Sequence, residues 1–446
     1  MPTSSKKPAQ SSVRKKTPTT TAARAKTKAA TAPTKAKSTN STLAKASSVT
    51  KKAIPKQKGS KQMAPKKHTV QKTSHVLNLS AKTFWPKTTE LVSLEFSLRP
   101  LADCQLYPQY TIGLHAWFLH QIRDFDPELS AYLHNGESEK PFSLTGLNGQ
   151  FTSHSQSLQL KAENAYQWRL NSLSGRVTQG IATWLKQLPQ TLELQGAPLT
   201  IEAVQLAHPA TTYTKLLNQG KAQQIEAKAV SLSFTSPTSF RRKGHHLPLP
   251  WPKNVFHSYL RRWNHFARTP TEPTDFLDWI DDHVIIQSHQ LASLKVVAGK
   301  QGSVTGFTGS ITYALDRLAA ERPDYVAMFY VLCELAPYCG TGHKTTFGLG
   351  ETHLGWRGSQ AEVQVPSAQR VLAERIEELT MLFLTQKKRQ GGSRARNTAE
   401  IWATILARRE QGDGLAAIAQ DMDLGYETAK TYSKLARRAL REGKTD

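Results

Sequence analysis

Between Leu91 and Arg99 the chain reads LVSLEFSLR, with Val92, Leu94, Phe96 and Leu98 alternating against Ser93, Glu95 and Ser97. Alternation with a period of two predicts a half-buried strand. IGLHAWFLHQIR at 112–123 predicts a helix, with a shorter one at 127–133. Strands are expected at 166–170 and 199–206, with a helix at 177–188 between them. The order then recurs: a strand at 230–234, a helix at 254–266, strands at 294–297 and 304–315, a strongly apolar helix at 325–335 and a closing strand at 351–356. Two successive β-α-β-β-α-β-like halves predict an α+β chain of tandem ferredoxin-like (RRM-like) domains. No sequence repeat links the halves, so the pairing rests on element order.

From Pro366 the pattern turns helical. Amphipathic helices are expected at 371–386 and 399–411, joined by KKRQGGSRARN. GLAAIAQDMDLGYETAKTYSKLARRALRE follows, and its helix at 415–422, tight turn at 423–425 and helix at 426–441 have helix-turn-helix spacing. Ala416, Ile418, Ala419 and Leu424 are expected to pack this pair, with Ala429 and Leu435 facing back. Lys430, Lys434, Arg437 and Arg438 would then face outward, toward duplex DNA on one reading and toward protein or further RNA on another. The expected division is a basic tail at 1–75, ferredoxin-like domains at 76–215 and 216–365, and an all-α helix-turn-helix module at 366–446.

Charge sharpens that division. The 446 residues carry 59 Lys and Arg against 34 Asp and Glu, a formal charge of +25. Residues 1–75 hold 19 basic and no acidic residues, while 76–365 have 25 against 23. The tail has almost no aromatic or branched apolar residue, so disorder is expected there. Such a polycation holds RNA or DNA by counterion release without reading sequence. The alternatives are a solvated tail or an organelle-targeting leader. No apolar core follows the basic start MPTSSKKPAQ, so a secretory leader is not expected, and no run approaches the length of a membrane span. Cys104, Cys333 and Cys339 are an odd, sparse set that fits a reducing compartment and excludes a disulfide scaffold. A cytoplasmic protein with no membrane partner, no metal and no cofactor is expected.

Three clusters carry candidate chemistry. YCGTGHKTTFGLG at 338–350 places glycines after a helix and before a strand, the reverse of a nucleotide-phosphate loop. Its backbone is expected to approach a polyanion at Gly340, Gly342, Gly348 and Gly350, with Lys344, Thr345 and Thr346 as donors. The alternative is a connector whose glycines serve turn geometry alone. SPTSFRRKGHHL places Arg241, Arg242 and Lys243 in a loop beside His245 and His246, and guanidinium groups suit phosphate. His115, His120 and His134 lie on or near the first helices, with Lys140 six residues beyond His134. Their spacing is wrong for zinc. A histidine ending a helix, such as His134, more often caps carbonyls than catalyses.

Taken together, the body at 91–356 resembles the CRISPR-associated endoribonucleases that process precursor CRISPR RNA, the Cas-six family. The resemblance is carried by GTGHKTTFGLG, by GFTGSITYAL at 306–315, by TSPTSFRRKGHHLPLPWPKNVFHSYLRRW, and by DPELSAYLHNGESEKPFSL, the block in which the family's catalytic histidine commonly lies. It implies cleavage of CRISPR repeat RNA, hairpin or single-stranded, by 2′-hydroxyl attack without metal. The products would be a 2′,3′-cyclic phosphate and a 5′-hydroxyl. His134 is implied for proton transfer, Lys140 for charge stabilisation and His115 for an auxiliary or replacement role. The family's assisting tyrosine has no counterpart among Ala116, Trp117 and Phe118. Arg241, Arg242, Lys243, His245 and the glycine loop would hold RNA. CRISPR effector subunits are a further partner class. The rival reading is a non-cleaving RNA- or DNA-binding regulator, or a subunit that retains guide RNA.

Overall fold

The alternating stretch forms β1 (Leu91–Pro100), which buries Val92, Leu94, Phe96 and Leu98 completely, as a strand with one face on a core must. The computed structural model describes residues 78–79, 85–135, 139–154, 157–224, 229–242, 245–297, 299–358, 367–386 and 393–442. The basic tail at 1–75 and Lys243 lie outside the described residues.

After β1 come α1 (Tyr110–Phe125), α2 (Pro127–Asn135), β2 (Phe142–Leu144), β3 (Tyr166–Ser172), α3 (Gly175–Trp184) and β4 (Ala197–Thr211). The strands lie in the order β4-β1-β3-β2, antiparallel at each step, the split order of a ferredoxin-like fold. Ser174 begins α3 by accepting a hydrogen bond from the Val177 N–H. Behind the sheet Phe96 packs on Trp168 at 5.0 Å and Phe118 on Trp184 at 5.9 Å. Large rings dominate such a core because each removes much apolar area from water.

α4 (Tyr213–Gln223) leads into the second half. There β5 (Val230–Thr238), β6 (Phe240–Arg242), β7 (His245–Leu247), α5 (Pro252–Phe266) and α6 (Pro273–His283) precede β8 (Val284–Val297), β9 (Ser303–Leu315), α7 (Pro323–Cys339) and β10 (Thr352–Leu354). The order β10-β5-β9-β8 repeats that of the first half. Proline at the start of α5 suits a first turn whose N–H groups have no helical partner. From it Val255, Phe256, Tyr259, Leu260 and Trp263 reach the core at helical spacing. Each such burial is worth about 1.5–3 kcal/mol.

Several boundaries differ from expectation. β8 begins ten residues earlier than its apolar end at 294–297 predicts, because it is an edge strand whose middle faces solvent and so lacks alternation. The Arg241 region is a β-hairpin rather than a loop, with Arg241 opposite His246 and Arg242 opposite His245. Cys104, Cys333 and Cys339 are free thiols. Among the described residues no helix is long and apolar enough to cross a membrane.

The C-terminal part is helical: α8 (Ser367–Thr385), α9 (Ser393–Glu410), α10 (Leu415–Asp421) and α11 (Tyr426–Glu442). Leu372, Ile376 and Leu379 of α8 share a core with Ala403 and Leu406 of α9, Ala436 of α11 and Val297 of β8. Fully buried Arg408 ties α9 to the turn that follows it and to α10, bonding Asp413 at 2.6 Å and Asp421 at 2.8 Å. The inward face of α11 is Ala429, Ser433 and Ala436. Two residues expected to pack this pair do not: Ala416 and Leu435 are exposed. A 3.6-residue period started at Ala429 passes through Ser433 and Ala436 and leaves Leu435 on the outer side.

Candidate active site

His115 projects from α1 into the junction between the two halves. Its Nδ1 lies 3.0 Å from the Thr346 carbonyl, and its ring stacks on Phe347 at 4.3 Å with Phe142 at 5.8 Å beyond. A carbonyl only accepts, so Nδ1 carries the proton and Nε2 keeps a lone pair. Burial pushes the imidazole down to about 4, against the bond to Thr346, and electrostatic repulsion involving His134, Lys300 and Lys140 pushes the same way. The ring is therefore neutral near pH 7, a proton acceptor with a fixed tautomer.

His134 comes from the end of α2 and is exposed. Lys140, six residues on, gives its ammonium to the carbonyls of His134 at 2.7 Å and Leu133 at 3.2 Å. That closes the C-terminus of α2 with two of the three ammonium donors. Burial lowers the Lys140 ammonium from its ordinary value. Beside it, buried Glu139 pairs with Arg261 at 2.6 Å and lies 3.6 Å from Arg262. Arg262 is itself buried and donates to the Gly342 carbonyl at 2.9 Å and to Ser258. The segment bearing His134 and the glycine loop are thus held by one guanidinium.

The loop connects α7 to β10 through a short turn at Thr345–Phe347. Gly340, Gly342, Gly348 and Gly350 have positive φ and are buried, as are Thr345 and Thr346. A side chain at Gly342 would collide with the Ser239 carbonyl, and one at Gly350 with the Thr341 carbonyl. Gly348 also bridges to Thr145 of the first half. These residues, expected to approach RNA, make the contacts just described within the protein. What the loop presents is Phe347 to His115 on one side, and His343 with Lys344 on the other.

That other side meets the hairpin. His343 Nδ1 bonds the Ser239 carbonyl at 2.9 Å and its ring stacks on His246 at 5.1 Å. Burial pushes both imidazoles down to about 4, with Lys344 and Arg241 adding to the shift. Lys344 sits in the left-handed region with φ +59°, and burial, then Arg241, lowers its ammonium to about 8. Arg241 and Arg242 are exposed. Phe347 and Lys300 are not among the sequence candidates, and Arg262 reads there with Arg261 as a basic cluster rather than as a buried tie to the glycine loop. Only Phe347 carried a signal, as the one ring inside a glycine-rich turn.

Farther in, Arg169 of β3 bonds Glu95 at 2.7 Å and Glu351 at 3.1 Å, so one side chain spans both halves. Burial would raise the Glu351 carboxyl, but His353, Arg169 and Thr235 hold it below the usual range. Among the described residues no group of three or more His, Cys, Asp or Glu is arranged to hold a metal ion.

Two ferredoxin-like sheets with histidines and a glycine-rich loop at their junction place the chain among tandem ferredoxin-like proteins. The Cas6 N-terminal domain matches residues 92–227, and the CRISPR-associated endoribonuclease Cas6 domain matches 232–352. The chain belongs to the Cas6 family. A CRISPR-associated endoribonuclease Cas6 of Streptococcus thermophilus is 23% identical over 245 residues, covering 54% of this chain and 90% of its own. Among solved structures, a Cas6 product complex is 27% identical, covering 59% of this chain and 99% of that one at a TM-score of 0.47. A Thermus thermophilus Cas6 is 25% identical over 60% of this chain and 99% of its own, at 0.44. The family domains end at Thr352, before α8.

Proposed function

We propose that this protein is a metal-independent endoribonuclease that cuts CRISPR repeat RNA within precursor transcripts. The observation that carries the site assignment is the hydrogen bond from His115 Nδ1 to the Thr346 carbonyl. It leaves Nε2 as an acceptor, in a ring whose proton affinity His134 and Lys300 influence electrostatically. In the proposed step the ribose 2′-hydroxyl attacks the adjacent phosphorus while Nε2 of His115 takes its proton. The bond from phosphorus to the 5′-oxygen breaks, and His134 returns a proton to that oxygen. The products are a 2′,3′-cyclic phosphate and a 5′-hydroxyl, and proton count balances between the two imidazoles. Lys140 acts as a positioning residue, holding the end of α2. Arg241, Arg242 and Lys344 supply phosphate contacts that fix register without reading bases. The domain limits 76–215, 216–365 and 366–446 belong to the same proposal.

The test is single-turnover cleavage of the cognate repeat RNA in excess chelator. Wild type is expected to cut. His115→Ala and His134→Ala are each expected to slow the step by about 10²–10⁴-fold with RNA affinity retained. RNA left intact by wild type would overturn the enzymatic reading. Cleavage by both variants at the wild-type rate would overturn the assignment of these two imidazoles.

A further inference from the structure

Beyond the family domains, α11 and the start of α10 enclose an open groove of about 980 Å³. The ring and cations on its α11 wall are Tyr426, Lys430, Lys434, Arg437 and Arg441, set beside Ser433 and Leu440, and Arg409 of α9 adds a further cation. The α11 residues fall at offsets of 0, 4, 8, 11 and 15, so they share one face of the helix. At 1.5 Å per residue the stripe is about 22 Å long. No acidic side chain lines the groove. Lys434 and Arg437 form no ion pair among the described residues, and Lys430 shares only an exposed pair with Glu427. Arg438 points elsewhere and is paired with Glu442 at 2.7 Å. Of the four cations expected to bind DNA, three line the groove and one does not.

The turn before α11 is tied to the segment that packs on the glycine loop, where Gly299, next to Lys300, lies against the side chain of Lys344. Asp423, in the turn before α11, pairs with Lys300 at 3.2 Å, and Lys300 is one of the charges that act on His115. Three residues later Tyr426 stands half exposed at the head of the stripe. A concave cationic channel with a ring at one end suits a single strand, whose phosphates follow the cations and whose base stacks on the ring. Duplex DNA would be met by the outermost face of α11, opposite Ala429, Ser433 and Ala436, and that face carries Glu427 and Glu442, which pair with Lys430 and Arg438.

We propose that the groove between α10 and α11 binds the single-stranded RNA that adjoins the cut site, extending the path of the precursor along the C-terminal helices. This rests on the endoribonuclease reading. The experiment measures affinity of the full chain for repeat RNA with a 2′-deoxy residue at the cut, unextended or with a single-stranded extension on either side. One extension is expected to tighten binding roughly tenfold, the scale of one stacked base with its phosphate contacts. Lys434→Ala/Arg437→Ala and, separately, Tyr426→Ala are expected to abolish most of that gain, while Arg438→Ala keeps it. All four positions are exposed, and circular dichroism reports on folding. No gain from either extension, or a gain retained in both groove variants, would overturn the proposal. So would a duplex DNA competitor that binds more tightly and depends on Lys434 and Arg437, which would assign the groove to DNA. If the wild type fails to cut all-ribose repeat, the enzymatic reading falls separately. Weakening of oligouridine binding by the same double variant would then still support a single-strand groove, and unchanged binding would overturn it.

Discussion

The glycine-rich loop at 340–350 and α11 carry similar sequence signals, small or helical backbone interleaved with Lys, Thr and Arg, yet they meet solvent in opposite ways. The loop is buried almost throughout, and Lys344 is its cation. α11 is exposed on every side but the one bearing Ala429, Ser433 and Ala436. The difference separates residues that build a site from residues that can touch a polyanion. Gly342 and Gly350 set the backbone so that Phe347 reaches His115, whereas Lys434 and Arg437 remain available to phosphate. The same division holds among arginines: Arg262 and Arg408 are structural, Arg241 and Arg437 are not.

Substitutions can break this comparison, beginning with the largest effect. Arg408→Ala leaves Asp413 and Asp421 without their buried partner and is expected to cost about 3–5 kcal/mol, read as loss of the α9–α11 unit in denaturant unfolding. Gly350→Ala forces a Cβ into the Thr341 carbonyl at φ +74° and is expected to cost about 2 kcal/mol or more. If it left both stability and cleavage intact, the loop would not be the scaffold described here.

A smaller effect concerns pH. His115 has a folded value of about 4, below the ordinary 6.5, so the unfolded chain takes up the proton first as pH falls. Its contribution is full above about 6.5 and is lost through the window down to about 4. His115→Gln is therefore expected to flatten the fall of stability in that window, checked by urea midpoints at pH 6.5 and 4.5. Smallest of all, Lys434→Ala on the exposed face is expected to change stability by less than about 0.5 kcal/mol. A larger loss would mean that α11 uses this cation to fold.

Much of the fold was legible because alternation and helical spacing report one-sided burial. β1, α1, α5 and α7 each have a continuous apolar face, and their positions follow from it. β8 was legible only at its apolar end, because an edge strand open to water on both faces imposes no pattern on its middle. The hairpin at 240–247 was hidden since its arginines are exposed and its strands have three residues each. At the site, residue types were legible but their states were not. Nothing local to IGLHAWF tells that the His115 ring meets Thr346 and Phe347, which lie some 230 positions away. Likewise Arg261 and Arg262 are adjacent in sequence, yet one is exposed and the other holds the glycine loop.

The most direct measurement replaces one oxygen in the substrate. Repeat RNA carrying a single 2′-deoxyribose just upstream of the scissile phosphate is compared with the all-ribose strand under identical single-turnover conditions. The expected result is unchanged affinity, no product from the deoxy strand, and a cyclic phosphate end from the ribose strand. Cutting of the deoxy strand at the same bond would contradict in-line attack by the neighbouring hydroxyl, and with it the roles given to His115 and His134.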